Sequence, residues 1–160
     1  MTVLAPMRPE TFEAFLQAAI ASYAEDNVAA GRWKSPGALE RSRADFKRLL
    51  PAGLATPDHY LFEIKLTDGT TIGSVWFAIE ERQGARSAFV YNIEIEEKSR
   101  RQGHATRAFR ELESVATKLG ATSIGLHVFG FNRPAQALYS SLGYNVTGLN
   151  MMKRLDTFHH

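Results

Sequence analysis

Apolar and polar residues follow two rhythms along this chain, and the change of rhythm divides it. From Pro9 onward, Phe12, Phe15, Leu16, Ala19, Ile20 and Tyr23 recur at helical steps, which predicts an amphipathic helix ended by Gly31. Ser35-Pro36 opens a second helix, with serine as N-cap and proline in the first turn, where its missing N–H costs nothing. Leu39, Phe46, Leu49 and Leu50 supply the apolar side of that helix, and Pro-Ala-Gly at 51–53 stops it.

The second rhythm then takes over. Residues 60–66 and 71–79 read as strands joined through Asp68-Gly69, a pair suited to the positive φ values of a tight hairpin. The polar stretch 80–85 is the next connection, and 88–95 is a third strand with Phe89, Tyr91, Ile93 and Ile95 on one face and Glu94 on the other. Helical spacing returns with Ala105, Ala108, Phe109, Leu112, Val115, Ala116 and Leu119. A strand over 123–129 follows, and then a helix over 132–142 that tolerates Pro134 in its first turn. The irregularly apolar stretch 144–155 returns as one or two closing strands, with Met151 and Met152 as core filler. The order predicts an α/β protein with a mixed sheet, in which two N-terminal helices precede an antiparallel meander that switches to a parallel strand-helix-strand crossover. With no internal repeat, low-complexity tract or linker, residues 1–160 read as one domain.

Composition narrows the function. The chain has no cysteine, which excludes disulfides, thiolate metal sites and cysteine nucleophiles. Lys and Arg number 19 against 17 Asp and Glu, and they form no basic block, which argues against a nucleic-acid partner. No signal-peptide core and no apolar run of transmembrane length is present, so a cytoplasmic protein without a membrane partner is expected. The histidines show no ligand spacing, His159-His160 at the chain end included, so no metal is expected.

The chemistry gathers where strand 88–95 gives way to the following helix, at Arg100-Arg101-Gln102-Gly103-His104-Ala105. A glycine without a side chain, the unpartnered N–H groups of a helix start and its dipole together suit a phosphate, and Arg100 and Arg101 add mobile positive charge at the lip. The other reading of a lone glycine turn is an eased loop with solvated arginines. A second motif, Asn132-x-x-Ala135-x-x-Leu138-Tyr139-x-x-x-Gly143-Tyr144, stands one helix and one strand later.

Arg100-x-x-Gly103-x-Ala105 resembles the (Gln/Arg)-x-x-Gly-x-(Gly/Ala) pyrophosphate loop of the GCN5-related N-acetyltransferase (GNAT) superfamily, and the stretch from Asn132 resembles the second cofactor motif of that family. The resemblance covers about the C-terminal 100 residues by motif. It implies the acyl-CoA N-acyltransferase fold with splayed central strands, and transfer of acetyl from acetyl-CoA to an amine. It further implies cofactor contacts from the backbone of Ile93, Glu94 and Ile95, from Arg100, Arg101, Gln102, Gly103, His104, Ala105 and Thr106, and from Asn132 and Tyr139. By the same resemblance the two N-terminal helices wall the acceptor site, where Glu25, Asp26 and Trp33 would meet a cationic acceptor; singly, each also reads as an ordinary surface or packing residue. The implied acceptor is a small-molecule amine or a peptide N-terminus, and a homodimer through the final strands is open by resemblance alone.

Tyr139 is the candidate acid for the leaving thiolate, because a phenol stays protonated near neutrality; its other reading is an aromatic core residue. His127 is the candidate base. Its other reading is a satisfied buried histidine. His104 departs from the small or aliphatic residue usual within the loop; its readings are a ring over the phosphates, a charge added at low pH, or a side chain facing solvent. A non-catalytic acyl-CoA sensor is the alternative function.

Overall fold

A computed structural model describes residues 2–155. Its single mixed sheet has the order β1 (Thr2–Pro6), β2 (His59–Leu66), β3 (Thr71–Arg82), β4 (Ala85–Ile95) and β5 (Ser123–Leu126). The first four strands pair antiparallel and β5 joins β4 in parallel. Helices α1 (Pro9–Ala29) and α2 (Ala38–Leu49) precede β2, α3 (His104–Lys118) links β4 to β5, and α4 (Arg133–Ser141) follows β5. No helix among the described residues is long and apolar enough to cross a membrane.

The two sheet faces bury different sets. Val75, Phe77, Ala88 and Val90 pack on Phe109 and Leu112 of α3, while Leu61 and Trp76 pack on Ile20 of α1 and Phe46 of α2. Small residues at Ala19 and Ala24 suit close approach of the two N-terminal helices, and Ser42 Oγ of α2 donates to the Ile20 carbonyl at 2.7 Å. The buried hydroxyl thereby replaces its lost water with a backbone acceptor.

β1 lies outside the sequence-based expectation. Five residues ending in proline carry too little alternation to read, and the strand forms because β2 accepts it, from Thr2↔Leu66 to Pro6↔Phe62. Its junction with α1 is secured by Glu63, which is fully buried and takes the Arg8 backbone N–H (2.9 Å), Arg8 Nε (3.0 Å), Arg8 Nη2 (3.2 Å) and the Thr71 hydroxyl (3.0 Å). Burial alone would raise this carboxyl, but the side-chain and backbone donors of Arg8, with Thr71, outweigh it and hold the pKa at about 2.

Several boundaries differ from expectation. α2 starts at Ala38 behind Gly37, whose φ of 82° only glycine adopts without strain, so Ser35-Pro36 forms the preceding turn and Ser35 is not the N-cap. Leu39 is exposed. In the β2–β3 hairpin Gly69 alone has positive φ, while the Asp68 side chain accepts the Thr70 N–H at 2.9 Å. The polar stretch 80–85 is mostly strand, because Gln83 and Gly84, both left-handed, close a two-residue turn between Arg82 and Ala85. The tail corrects the largest expectation. Val146, Leu149, Met151 and Met152 are exposed and no strand forms over 144–155, because no ladder joins this stretch to β5 and a strand exists only where a neighbouring edge takes its hydrogen bonds. The methionines are therefore not core filler. His159-His160 lie outside the described residues.

A bulge in β4 matters most for function. Val90 faces Phe77 and Asn92 faces Trp76, so Tyr91 is an extra residue and the alternation slips by one. Ile93 and Ile95 therefore join Val90 on the α3 side, and Glu94 shares the face of Phe89 and Tyr91, the reverse of what strict alternation predicts.

Candidate active site

The parallel ladder between β4 and β5 ends at Val90↔Leu126. Beyond it β4 runs on to Ile95 while β5 stops, and His127, Val128 and Phe129 leave the sheet rather than extending the strand as expected. The two strands part there, and their facing backbone groups stay open to a ligand. A cleft of about 600 Å³ occupies the gap, walled by α1, α2, β3, β4, the segment after β5, and α4.

The cleft gathers Ile93, Glu94, His127, Asn132 and Tyr139 from the residues singled out in the sequence. Ile95 and the turn 100–106 are not among its walls; Ile95 ends β4, and the turn follows it, where α3 begins. At that turn Gly103 has φ 80° and serves as N-cap of α3 without any side-chain cap. No acceptor is found among the described residues for the backbone N–H groups of Arg101 through Thr106. A row of free donors at a helix start fits a diphosphate.

Arg100 is not the mobile charge expected. Its Nε donates to the Ile95 carbonyl at 2.8 Å and its Nη2 to Glu94 Oε1 at 2.9 Å, because the bulge turns Glu94 to where the guanidinium reaches both. Asn132 caps α4, its Oδ1 taking the Ala135 N–H at 3.2 Å, which leaves its amide donors for the cleft.

Tyr139 is half-buried edge-on to Phe109, with ring centroids 5.4 Å apart, yet its hydroxyl has no hydrogen-bond partner among the described residues. Burial, then the Glu94 charge, push its pKa above the ordinary phenol value. Tyr144, on the same Phe109 ring, instead donates to Glu113 Oε2 at 2.9 Å.

His127 is exposed to the cleft, stands edge-on to Phe129 at 4.9 Å, and has no hydrogen-bond partner among the described residues, so it is not a satisfied buried histidine. Partial desolvation, then the Arg32 charge, lower its pKa, which keeps the imidazole neutral near pH 7. His104 neither faces solvent nor stays free: it is buried against Thr2 and Arg107.

The acceptor side differs from the sequence reading. Asp26 lines the cleft and Glu25 does not. Asp26 lacks an ion-pair partner among the described residues, whereas Asp45 pairs with Arg48 at 3.2 Å and Glu80 with Arg82 at 3.4 Å. Burial, then Glu25, raise the Asp26 pKa. Trp33 is no wall of the cleft; it packs on Tyr23 at 5.6 Å beneath Arg41 at 5.9 Å.

Trp76, Tyr91 and Asn92 form a floor that sequence reasoning missed. Tyr91 stacks on Trp76 at 4.6 Å, and Trp76 Nε1 donates to His59 Nδ1 at 2.9 Å. The only signal that could have found Asn92 is the bulge, and a bulge is set by the partner strand.

The sequence profile described as Acetyltransferase (GNAT) family matches residues 17–144. The Bacillus subtilis protein YycN, named an uncharacterized N-acetyltransferase, is 36% identical over 156 residues, covering 97% of this chain and all of that protein. YdgE of the same organism is 32% identical over 152 residues, covering 95% of this chain and 97% of that protein. The crystal structure of YycN superposes with a TM-score of 0.93 across 97% of this chain and 99% of its own. Read with the splayed strands and the free donors of the turn, these likenesses establish that the chain belongs to the GNAT family and is an acetyltransferase.

Proposed function

We propose that this acetyltransferase moves acetyl from acetyl-CoA to an amine by direct attack, with both substrates in the cleft at once. The observation that carries the reading is the opening between β4 and β5 beyond Val90↔Leu126, where the cleft holds Tyr139 and His127 and from which β4 runs on to the turn with the free donors. The donors from Arg101 to Thr106 suit the diphosphate, and the open edge of β4 at Ile93 and Glu94 suits the amide groups of a pantetheine arm.

His127 takes a proton from the ammonium form of the acceptor and passes it to solvent, which frees the nitrogen lone pair for the thioester carbonyl. The carbon–nitrogen bond forms and the carbon–sulfur bond breaks. Tyr139 gives its hydroxyl proton to the leaving thiolate and regains one from the new amide nitrogen, so no enzyme nucleophile is needed. Asp26, an unpaired carboxylate in the acceptor half, supports an acceptor that keeps a second positive charge, such as a diamine or a peptide whose N-terminus is followed by a basic side chain. The low basicity of His127 favours an α-amine, whose own pKa is close to neutrality, over a lysine side chain.

Thiol release measured across a panel of α-amino peptides, diamines, lysine and aminoglycosides tests the proposal. Turnover confined to amines carrying a second cation supports it. Binding of coenzyme A with no thiol release for any amine overturns it in favour of a sensor.

A further inference from the structure

The turn that precedes α3 holds a side-chain cluster that the proposed chemistry does not use. His104, the first residue of α3, is only 9% exposed. Its Nδ1 lies 2.8 Å from Arg107 Nη2 and 3.2 Å from the hydroxyl of Thr2 on β1. Arginine has only donors, so Nδ1 is an acceptor and the imidazole is neutral with its proton on Nε2. Burial, then the Arg107 charge, lower the pKa of this histidine, in keeping with that state.

The same guanidinium reaches back over the turn. Arg107 Nη2 also donates to the Gln102 carbonyl at 2.8 Å, and its Nε to Thr2 Oγ1 at 3.3 Å. Its Nη1 stands 2.9 Å from where a Cβ on Gly103 would lie. Gln102 is flanked by two left-handed residues, Arg101 at φ 64° and Gly103 at φ 80°. Arg101 has a Cβ, so that conformation costs about 1 kcal/mol and needs support from its surroundings.

In a trans peptide the C=O and N–H point in opposite directions. Fixing the Gln102 carbonyl toward Arg107 therefore turns the Gly103 N–H the other way, into the row of free donors. A flip of that one peptide would put a carbonyl oxygen among them and repel an anion.

Resting on the acetyl-CoA reading above, we infer that Arg107 is the positioning residue of the diphosphate turn, holding the Gln102–Gly103 peptide with its N–H toward the ligand, and that His104 and Thr2 hold Arg107 in place. The replacement of a small or aliphatic residue by histidine at 104 then has a purpose: it supplies the acceptor that anchors the guanidinium.

Calorimetry with coenzyme A, paired with turnover of acetyl-pantetheine, which lacks the diphosphate, tests this on the full chain. Arg107→Met should weaken coenzyme A about tenfold, the loss of a charge-assisted hydrogen bond, and leave acetyl-pantetheine turnover unchanged. His104→Leu should weaken it about threefold, and His104→Asn, whose Oδ1 replaces the Nδ1 acceptor, should restore it. Wild-type affinity in Arg107→Met and His104→Leu, or equal losses with both donors, overturns the inference. Should Arg107→Met fail to fold, the Leu and Asn variants at 104 decide. No heat from the wild type with coenzyme A overturns the acetyl-CoA reading itself, and this inference with it.

Discussion

Two polar sites within this fold are treated in opposite ways. At Glu63, fully buried where β1, β2 and α1 meet, donors from Arg8 and Thr71 saturate both carboxylate oxygens. At the β4–β5 opening, the Tyr139 hydroxyl, the His127 ring and the Asp26 carboxylate have no partner among the described residues. None of these groups is fully buried, so each is open to water or to a ligand that enters the cleft, whereas the Glu63 carboxylate is closed to both. The first site serves stability, and the second is the one we propose for the chemistry.

Breaking the second site should show the largest effect. Tyr139→Phe removes a hydroxyl that bonds to nothing among the described residues, so kcat should fall about 1,000-fold while the melting temperature holds, as steady-state kinetics beside calorimetry would show. Breaking the first site should do the reverse. Arg8→Met leaves a buried carboxylate without its cation and should lower the urea unfolding midpoint, with kcat unchanged.

The Glu63 pKa also sets a pH window. Because the folded value lies below the unfolded one, its contribution is fully present above the ordinary carboxylate range and is lost as pH falls toward about 2. Glu63→Gln should flatten the stability–pH curve across that window.

His127→Ala should lower kcat/KM about 100-fold and remove the acidic limb of its pH profile. In the wild type that limb should rise with pH through a pKa below the ordinary histidine value and level off above it. The smallest and sharpest test is Tyr144→Phe. That hydroxyl does have a partner, Glu113, so its loss should cost about 1 kcal/mol of stability and leave turnover intact, the mirror image of Tyr139→Phe.

Much of this architecture was legible in advance for a physical reason. Helical spacing in α1 and α3, the Gly103 turn and the Asn132 motif are local patterns, and local patterns survive in one dimension. What was misread depended on a neighbour. The strand β1 exists because β2 accepts it, the tail stays outside the sheet because no edge does, and Arg100 is pinned because Glu94 lies within its reach. His104 stands out in the sequence as a departure, but its partners Thr2 and Arg107 come from β1 and the next helical turn.

By itself the order of residues determined the family of the fold, the place of the glycine turn before α3 and the identity of the candidate acid and base. Tertiary structure decided which way β4 presents its side chains, since the extra residue at Tyr91 arises from its register with β3 and reverses Glu94, Ile93 and Ile95 together. It also decided which polar groups are left open, because satisfaction of a hydrogen bond depends on what stands across from a group in space.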